Sequence, residues 1–600
     1  MRDYRTYWRY LRPKVRNARI GILAVALRAI PNESQRVFGL TLLIGVACGL
    51  AAVSFHLSIL AAERLLIGEV SGASASLWLI AIPALGGLIS GFLLMYIFPD
   101  ARGSGIPQVK AAYEVKGGRL PLKDAIGKFL VSSIQIGSGA SLGREGPTVH
   151  ICACIASFLG RVTALSQVNI KRIVPVGVAA GIAAAFNAPI AAVTFTIEEV
   201  VGDLDQTVLS GVIVAAAIAA AIERVILGEH AVFTVVQVYG LHYGSSIVSY
   251  AVLGVAAGII SLAFSGSLVR LRGWFRGLAS LPLWAKPAIG GLVTGLLAYI
   301  GIYFLNTGGV TGGGYAALGT ALTGTMTLKV MLCLCLLKAV ATVFSYSSGG
   351  AGGIFAPSLF IGGMLGGVVG YLDLAVFSHP TNETGAFALV GMGAVFAGVI
   401  RAPITSVLII FEMTGSYGLI LPLMISNMTA YAIARHYRPL AIYEELLEQD
   451  GIFLPHKKGK GRHEIEKLPV DQFMSTDVKT LFAEMNLHTA MELIERSDFA
   501  LFPVIGNKGQ FLGTATIERV ERELASGNGD LPTKKIAIAH PTIFPDQTLS
   551  DAILKMNDER AIKLVVLERG PTRKLAGVLT MSDIVRAEAA VFGASGEVSS

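Results

Sequence analysis

The sequence predicts a multi-pass α-helical membrane protein followed by a soluble α/β tail. Three observations carry that reading. Apolar residues make up 53% of the 600 positions and charged residues 15%, against about 25% charge in an ordinary soluble domain. The apolar text ends near residue 450 and gives way to polar, mixed sequence. Both parts also repeat themselves internally, which marks duplication rather than chance hydrophobicity.

The elements follow in order. Residues 1–36 hold nine Arg and Lys against two acids. The run Ile20–Ile30 is short and broken by Arg28, so the segment reads as a basic cytoplasmic arm rather than a cleaved signal or a nucleic-acid surface. Spans long enough to cross a bilayer are expected over 38–60, 77–98, 245–268, 287–305, 327–346 and 386–400, within a membrane domain of residues 37–447. The runs 104–113 and 190–200 read as half-length helices. Broken helices at membrane depth are tolerated where they line a cavity, and they mark transport sites.

The membrane text repeats at a near-constant offset. Adding 210 carries Lys128 to Lys338, Ser138 to Ser348, Gly143 to Gly353 and Pro147 to Pro357. Further on the offset is 214: Asn187-Ala-Pro-Ile190 meets Arg401-Ala-Pro-Ile404, and Glu198 meets Glu412. Residues 448–467 form a linker containing the basic run His456–Arg462. A second duplication follows. Thr480 meets Thr542, Leu487 meets Leu549 and Val504 meets Val566 at 62, then Gly513 meets Gly577 at 64. The tail therefore reads as two α/β modules, 468–526 and 536–590, whose hairpins differ by two residues, with a final stretch 591–600. The five cysteines lie in apolar runs without a CxxC pair, which argues against a disulfide framework or a zinc site.

Four stretches carry chemistry. In Gly103-Ser-Gly-Ile-Pro107, Ser104 reads either as a helix cap or as a hydroxyl donor to an anion. In Gly143-Arg-Glu-Gly-Pro147, Glu145 opens a helix whose first N–H groups attract negative charge. It reads either as a capping acid paired with Arg144 or as a carboxylate that occupies an anion site and leaves on protonation. Gly352-Gly-Ile-Phe-Ala-Pro357 is its repeat-mate without an acid. Its amides at Ile354 and Phe355 are then open to an outside anion, unless the glycines are only a linker. Glu198 and Glu199 end a short apolar segment. Both face cytoplasm, or one is buried, favours its neutral form and carries a proton.

These motifs, in this order and with Tyr443 just past the last span, resemble the ClC family of chloride channels and chloride/proton antiporters over residues 37–447. The resemblance implies two inverted repeats of tilted and broken helices in a homodimer, with one pathway per subunit. It assigns Ser104 and Tyr443 as hydroxyl donors to a central chloride and the Ile354 and Phe355 amides as completing that site. Glu145 matches the gating glutamate, Glu199 an internal proton glutamate, and Lys128 a basic residue near the pathway. The tail resembles a cytosolic pair of CBS modules. In the second, Thr580 and Asp583 match the cue for an adenine nucleotide, ATP or AMP. In the first, Thr516 is kept but Arg519 replaces the acid. A ligand-free dimerisation module is the other reading of that pair.

The function expected is chloride transport through a bilayer, coupled to protons, since Glu199 is present and Ser104 is kept where nitrate-selective members have Pro. A passive voltage-gated chloride channel of the same fold is the near alternative. A CBS-regulated membrane subunit without transport is the remote one. No nucleophile–base set, HExxH or Walker loop points to an enzyme. No cofactor is required beyond chloride as bound substrate, and no nucleic-acid partner is expected. The expected location is a bacterial inner membrane, with the N-terminus and the tail in the cytoplasm.

Overall fold

The computed structural model describes residues 33–68, 77–202, 206–228, 239–241, 243–379, 383–452, 454, 468–495, 497, 501–559, 561–570, 572–584 and 586–587. Most of the expected basic arm, most of the expected 448–467 linker and the 591–600 tail lie outside these residues. The chain divides into two compact units, Met1–Pro455 and His456–Ser600.

The first unit is helical. Its first half contains α1 (Glu33–Leu66), α2 (Trp78–Tyr96), α3 (Ile106–Glu114), α4 (Leu122–Gly137), α5 (Glu145–Val162), α6 (Gln167–Phe186), α7 (Pro189–Phe195) and α8 (Gln206–Leu227). A π-turn, Thr196–Val201, continues α7. The second half contains α9 (Ser246–Gly277), α10 (Lys286–Leu305), α11 (Tyr315–Leu322), α12 (Leu328–Ser347), α13 (Phe355–Phe377), α14 (Thr384–Ile400), α15 (Pro403–Thr414), α16 (Ile420–Tyr437) and α17 (Ile442–Gln449). Every expected span is a helix, and α3 and α7 are short, as read. The helices α6, α8 and α13, and the stretch Tyr417–Gln449 that holds α16, are also long and apolar enough to cross a membrane, though none was among the expected spans. Lys171 and Arg172 dilute the start of α6 and glycines punctuate α13, so neither stands out as one apolar block. Small residues let the helices pack closely. A Cβ at Gly391 of α14 would lie 2.3 Å from the carbonyl oxygen of Gly362 on α13, so the two backbones touch directly.

The repeats meet across a two-fold relation. Gly143 and Gly353 exchange both backbone hydrogen bonds, each 2.7 Å, as an antiparallel bridge. Glu198 accepts from the amides of Ile404 and Thr405 at the start of α15. Its repeat-mate Glu412 accepts from Ile190 and Ala191 at the start of α7. Reciprocal contacts of this kind are what an inverted duplication produces. Each acid supplies the partners that a helix N-terminus lacks.

The second unit holds two three-stranded sheets. In the first, β1 (Leu481–Phe482) is parallel to β2 (Leu501–Ile505), which is antiparallel to β3 (Phe511–Thr516). The second repeats this with β4 (Thr542–Ile543), β5 (Lys563–Leu567) and β6 (Leu575–Thr580). Helices α18 (Leu487–Glu495) and α19 (Ile517–Ala525) belong to the first module and α20 (Leu549–Asp558) to the second. The hairpin residues 506–510 become 568–574 in the second module, the two-residue gain read from the offsets. The modules join edge to edge through Thr514 with Ile538 and Gln510 with Lys574.

Candidate anion and proton site

Four helix starts build this site. Gly105, at φ 103°, turns the chain into α3, and a Cβ there would strike His150. Gln108 Oε1 accepts from its amide at 3.0 Å. The preceding loop is pinned from beneath by Lys128 of α4, whose Nζ donates to the carbonyls of Ala101 at 2.6 Å and Gly103 at 2.9 Å. Lys128 was read as a charge near the pathway. The structure engages it in holding the loop that carries Ser104, and it is fully buried. An ammonium in a dry interior is tolerable only with such partners.

Ser104 is buried, and its Oγ has no hydrogen-bond partner among the described residues. Tyr443, second residue of α17, is also buried, and its phenol oxygen has no hydrogen-bond partner among the described residues. The two side chains lie beside each other. Gly146, in the first turn of α5, leaves room for Ser104, since a Cβ there would sit 2.4 Å from Ser104 Oγ. Ile354 caps α13 and Phe355 opens it, so their amides lack intrahelical acceptors. The Phe355 ring packs on Phe186, Phe195 and Phe396. Unsatisfied buried hydroxyls beside helix N-termini form a cradle for an anion.

Glu145 fills part of that cradle. One carboxylate oxygen accepts from the amide of Ala356 at 3.4 Å, in the first turn of α13. The expectation placed the ionised group in the field of its own helix. The structure places it on the facing repeat's helix, because the Gly143–Gly353 bridge brings the two starts together. The other oxygen accepts from the phenol of Tyr315. The capping reading paired Glu145 with Arg144. Arg144 instead donates to the carbonyl of Ala185. Tyr315 was missed, although adding 210 to Gly105 lands on it. Its loop is pinned by Lys338, which donates to Val310, Thr311 and Gly312, as Lys128 pins the first loop. A cavity of about 650 Å³ is lined by His56, Glu63, Arg144, Thr311 and Tyr315.

Of the two acids after α7, Glu198 is the cap described above. Glu199 is buried, as one reading held. Lys110 of α3 lies 2.9 Å away and forms an ion pair with it. The sequence reading did not include that partner. Lys110 also reaches Glu444 at 2.8 Å.

In the tail, Asp583 Oδ2 accepts from the amide and hydroxyl of Thr580, and Thr580 Oγ1 accepts from the Asp583 amide. Asp583 Oδ1 accepts from Arg586 at 2.7 Å. Of the acid matched to the nucleotide cue, one oxygen is thus engaged in a reciprocal turn that starts a helix and the other by Arg586.

Known proteins match this arrangement. The family profile described as voltage gated chloride channel matches residues 86–435, and the CBS domain profile matches 470–526 and 529–590. The H(+)/Cl(-) exchange transporter ClcA of Vibrio cholerae is 34% identical over 431 residues, 69% of this chain and 89% of that protein. A putative chloride channel protein, ClcB-like, of Ralstonia nicotianae is 32% identical over 418 residues, 68% and 96% of the two chains. Among solved structures, a slow cyanobacterial Cl-/H+ antiporter superposes with TM-score 0.61 at 26% identity, over 69% of this chain and 97% of that one. A eukaryotic CLC transporter shares the fold with TM-score 0.62 at 20% identity, over 92% and 98%. The chain therefore belongs to the voltage-gated chloride channel family, as an integral membrane protein with a C-terminal CBS pair.

Proposed function

We propose that this protein exchanges chloride for protons across a membrane. The observation that carries the reading is the seat of Glu145. Its carboxylate rests on the first turn of α13, where an anion would otherwise receive the amides. Ionised, it competes with chloride. Protonated, it loses the attraction of the helix end and yields the place. One group thus links proton state to anion access. Ser104, Tyr443, Ile354 and Phe355 would hold the chloride, and Glu199 would take protons on a route clear of the anion.

The names of the relatives support exchange, and one relative bears a channel name, so a passive channel is the second reading. One chain holds every donor described, which supports a complete pathway in each subunit of a homodimer. We place it in a bacterial inner membrane, with the basic arm and the CBS pair in the cytoplasm. An adenine nucleotide at the CBS pair would displace Arg586, whose side chain is 76% exposed, from Asp583. The test of exchange is proton uptake driven by a chloride gradient in reconstituted vesicles. Chloride flux without proton movement would favour the channel.

A further inference from the structure

The exchanger reading leaves open how a proton reaches Glu199, which is 4% exposed and paired with Lys110, itself 5% exposed. Lys110 lies on α3, six residues beyond Ser104, and its ammonium is shared by two carboxylates. One is Glu199 at 2.9 Å. The other is Glu444 at 2.8 Å, in the first turn of α17 and next to Tyr443. Glu444 is 34% exposed. A carboxylate presented to hydrocarbon is costly, so the exposed part of Glu444 faces water. The three groups form a chain from water to a buried acid, and none of them lies on the hydroxyls and amides that cradle the anion.

We propose that Glu444 and Lys110 are the proton relay to Glu199; this rests on the exchanger reading above. Glu444 takes a proton from water. Lys110 passes one of its own protons to Glu199, breaking an N–H bond as an O–H bond forms. The neutral amine then accepts the proton of Glu444, whose O–H bond breaks as the N–H bond is remade. The sum is one proton moved from water to Glu199, with Lys110 again an ammonium and Glu444 again a carboxylate. No other reactant is needed. Each hand-over spans a hydrogen bond already present, so the path needs no rearrangement of α3 or α17.

A plain clamp between α3 and α17 would use the same contacts, so the test must separate clamping from transfer. Lys110→Arg does so. A guanidinium keeps the charge and the ion pairs but does not give up a proton in a protein. Glu444→Gln keeps the size and an acceptor at a partly exposed position, and serves if the buried arginine fails to fold. The measurement is protons moved per chloride in vesicles, with wild-type protein alongside. A relay predicts a fall of about tenfold or more in that ratio for either variant, with chloride still moving. A clamp predicts that chloride and proton turnover fall together at a constant ratio, and that result overturns the relay. So does a wild-type ratio in Lys110→Arg. Wild-type protein that moves no protons overturns the exchanger reading and the relay with it.

Discussion

In the first repeat, Lys128 pins a loop by its carbonyls, and the loop delivers Ser104. In the second, Lys338 pins a loop in the same way, and the loop delivers Tyr315. Glu198 and Glu412 cap each other's half-helices, and Gly143 and Gly353 exchange hydrogen bonds. These matched residues hold the frame. The positions that break the match are those proposed above to carry the chemistry. Adding 210 to Ser104, Lys110 and Glu145 gives Gly314, Thr320 and Phe355, and adding 214 to Glu199 gives Met413. A duplicated scaffold can afford two identical frames, but a directional exchange of two different ions needs groups that occur once.

The largest expected effect comes from the group that breaks the match at the centre. Glu145→Ala should abolish proton transport and leave chloride flux independent of pH, because the competitor for the α13 amides is gone. Flux that still varies with pH would move the gate to another residue. Glu199→Gln should also abolish proton transport, while chloride continues to move through an intact cradle. Proton pumping that survives this change would reduce Glu199 to a buried partner of Lys110.

Matched residues should instead respond alike. Lys128→Met and Lys338→Met each leave buried carbonyls without donors, at about 1–3 kcal/mol per group. Both should lower thermal stability in detergent by similar amounts. Their transport defects should differ, since Lys128 positions Ser104 and Lys338 positions Tyr315. A large loss of stability in only one would break the symmetry argument.

Two smaller effects sharpen the same contrast. Tyr315→Phe removes a hydrogen bond to a charged group, worth about 1.5–3 kcal/mol. The seated carboxylate is then less stable, so chloride turnover at neutral pH should rise by about tenfold. Unchanged turnover would mean that the phenol does not hold the gate. Ser104→Pro removes one hydroxyl donor, at about 1–2 kcal/mol, and should move selectivity from chloride towards nitrate in vesicle flux. Unchanged selectivity would exclude Ser104 from contact with the anion.

Much of this was legible in the sequence, for a physical reason. Glycine and proline must stand where a helix starts at membrane depth and backbones approach closely. So Gly103–Pro107, Gly143–Pro147 and Gly352–Pro357 marked the helix starts directly, and the constant offsets exposed the repeats. Tyr315 was within reach of the same offset arithmetic. Lys110 was not. It sits in the short, mixed helix Ile106–Glu114, where a lysine looks like a solvated one, and its partners lie 89 and 334 residues away. The role of Lys128 was hidden likewise, because sequence shows a charge but not the carbonyls that absorb it. In the tail, Thr580 and Asp583 were read as the cue for an adenine nucleotide, and the structure holds them in a capping turn. That spacing serves a capping turn and a ribose contact equally, so sequence alone did not separate them.

The central claim is that one carboxylate couples proton state to anion access. Its most direct test is proton movement in sealed vesicles holding wild-type protein, with a chloride gradient and no initial pH gradient. Chloride leaving down its gradient should drive protons inward against the pH difference that develops, and Glu145→Ala should stop the protons but not the chloride. Chloride efflux from wild-type vesicles with no proton uptake would contradict the account.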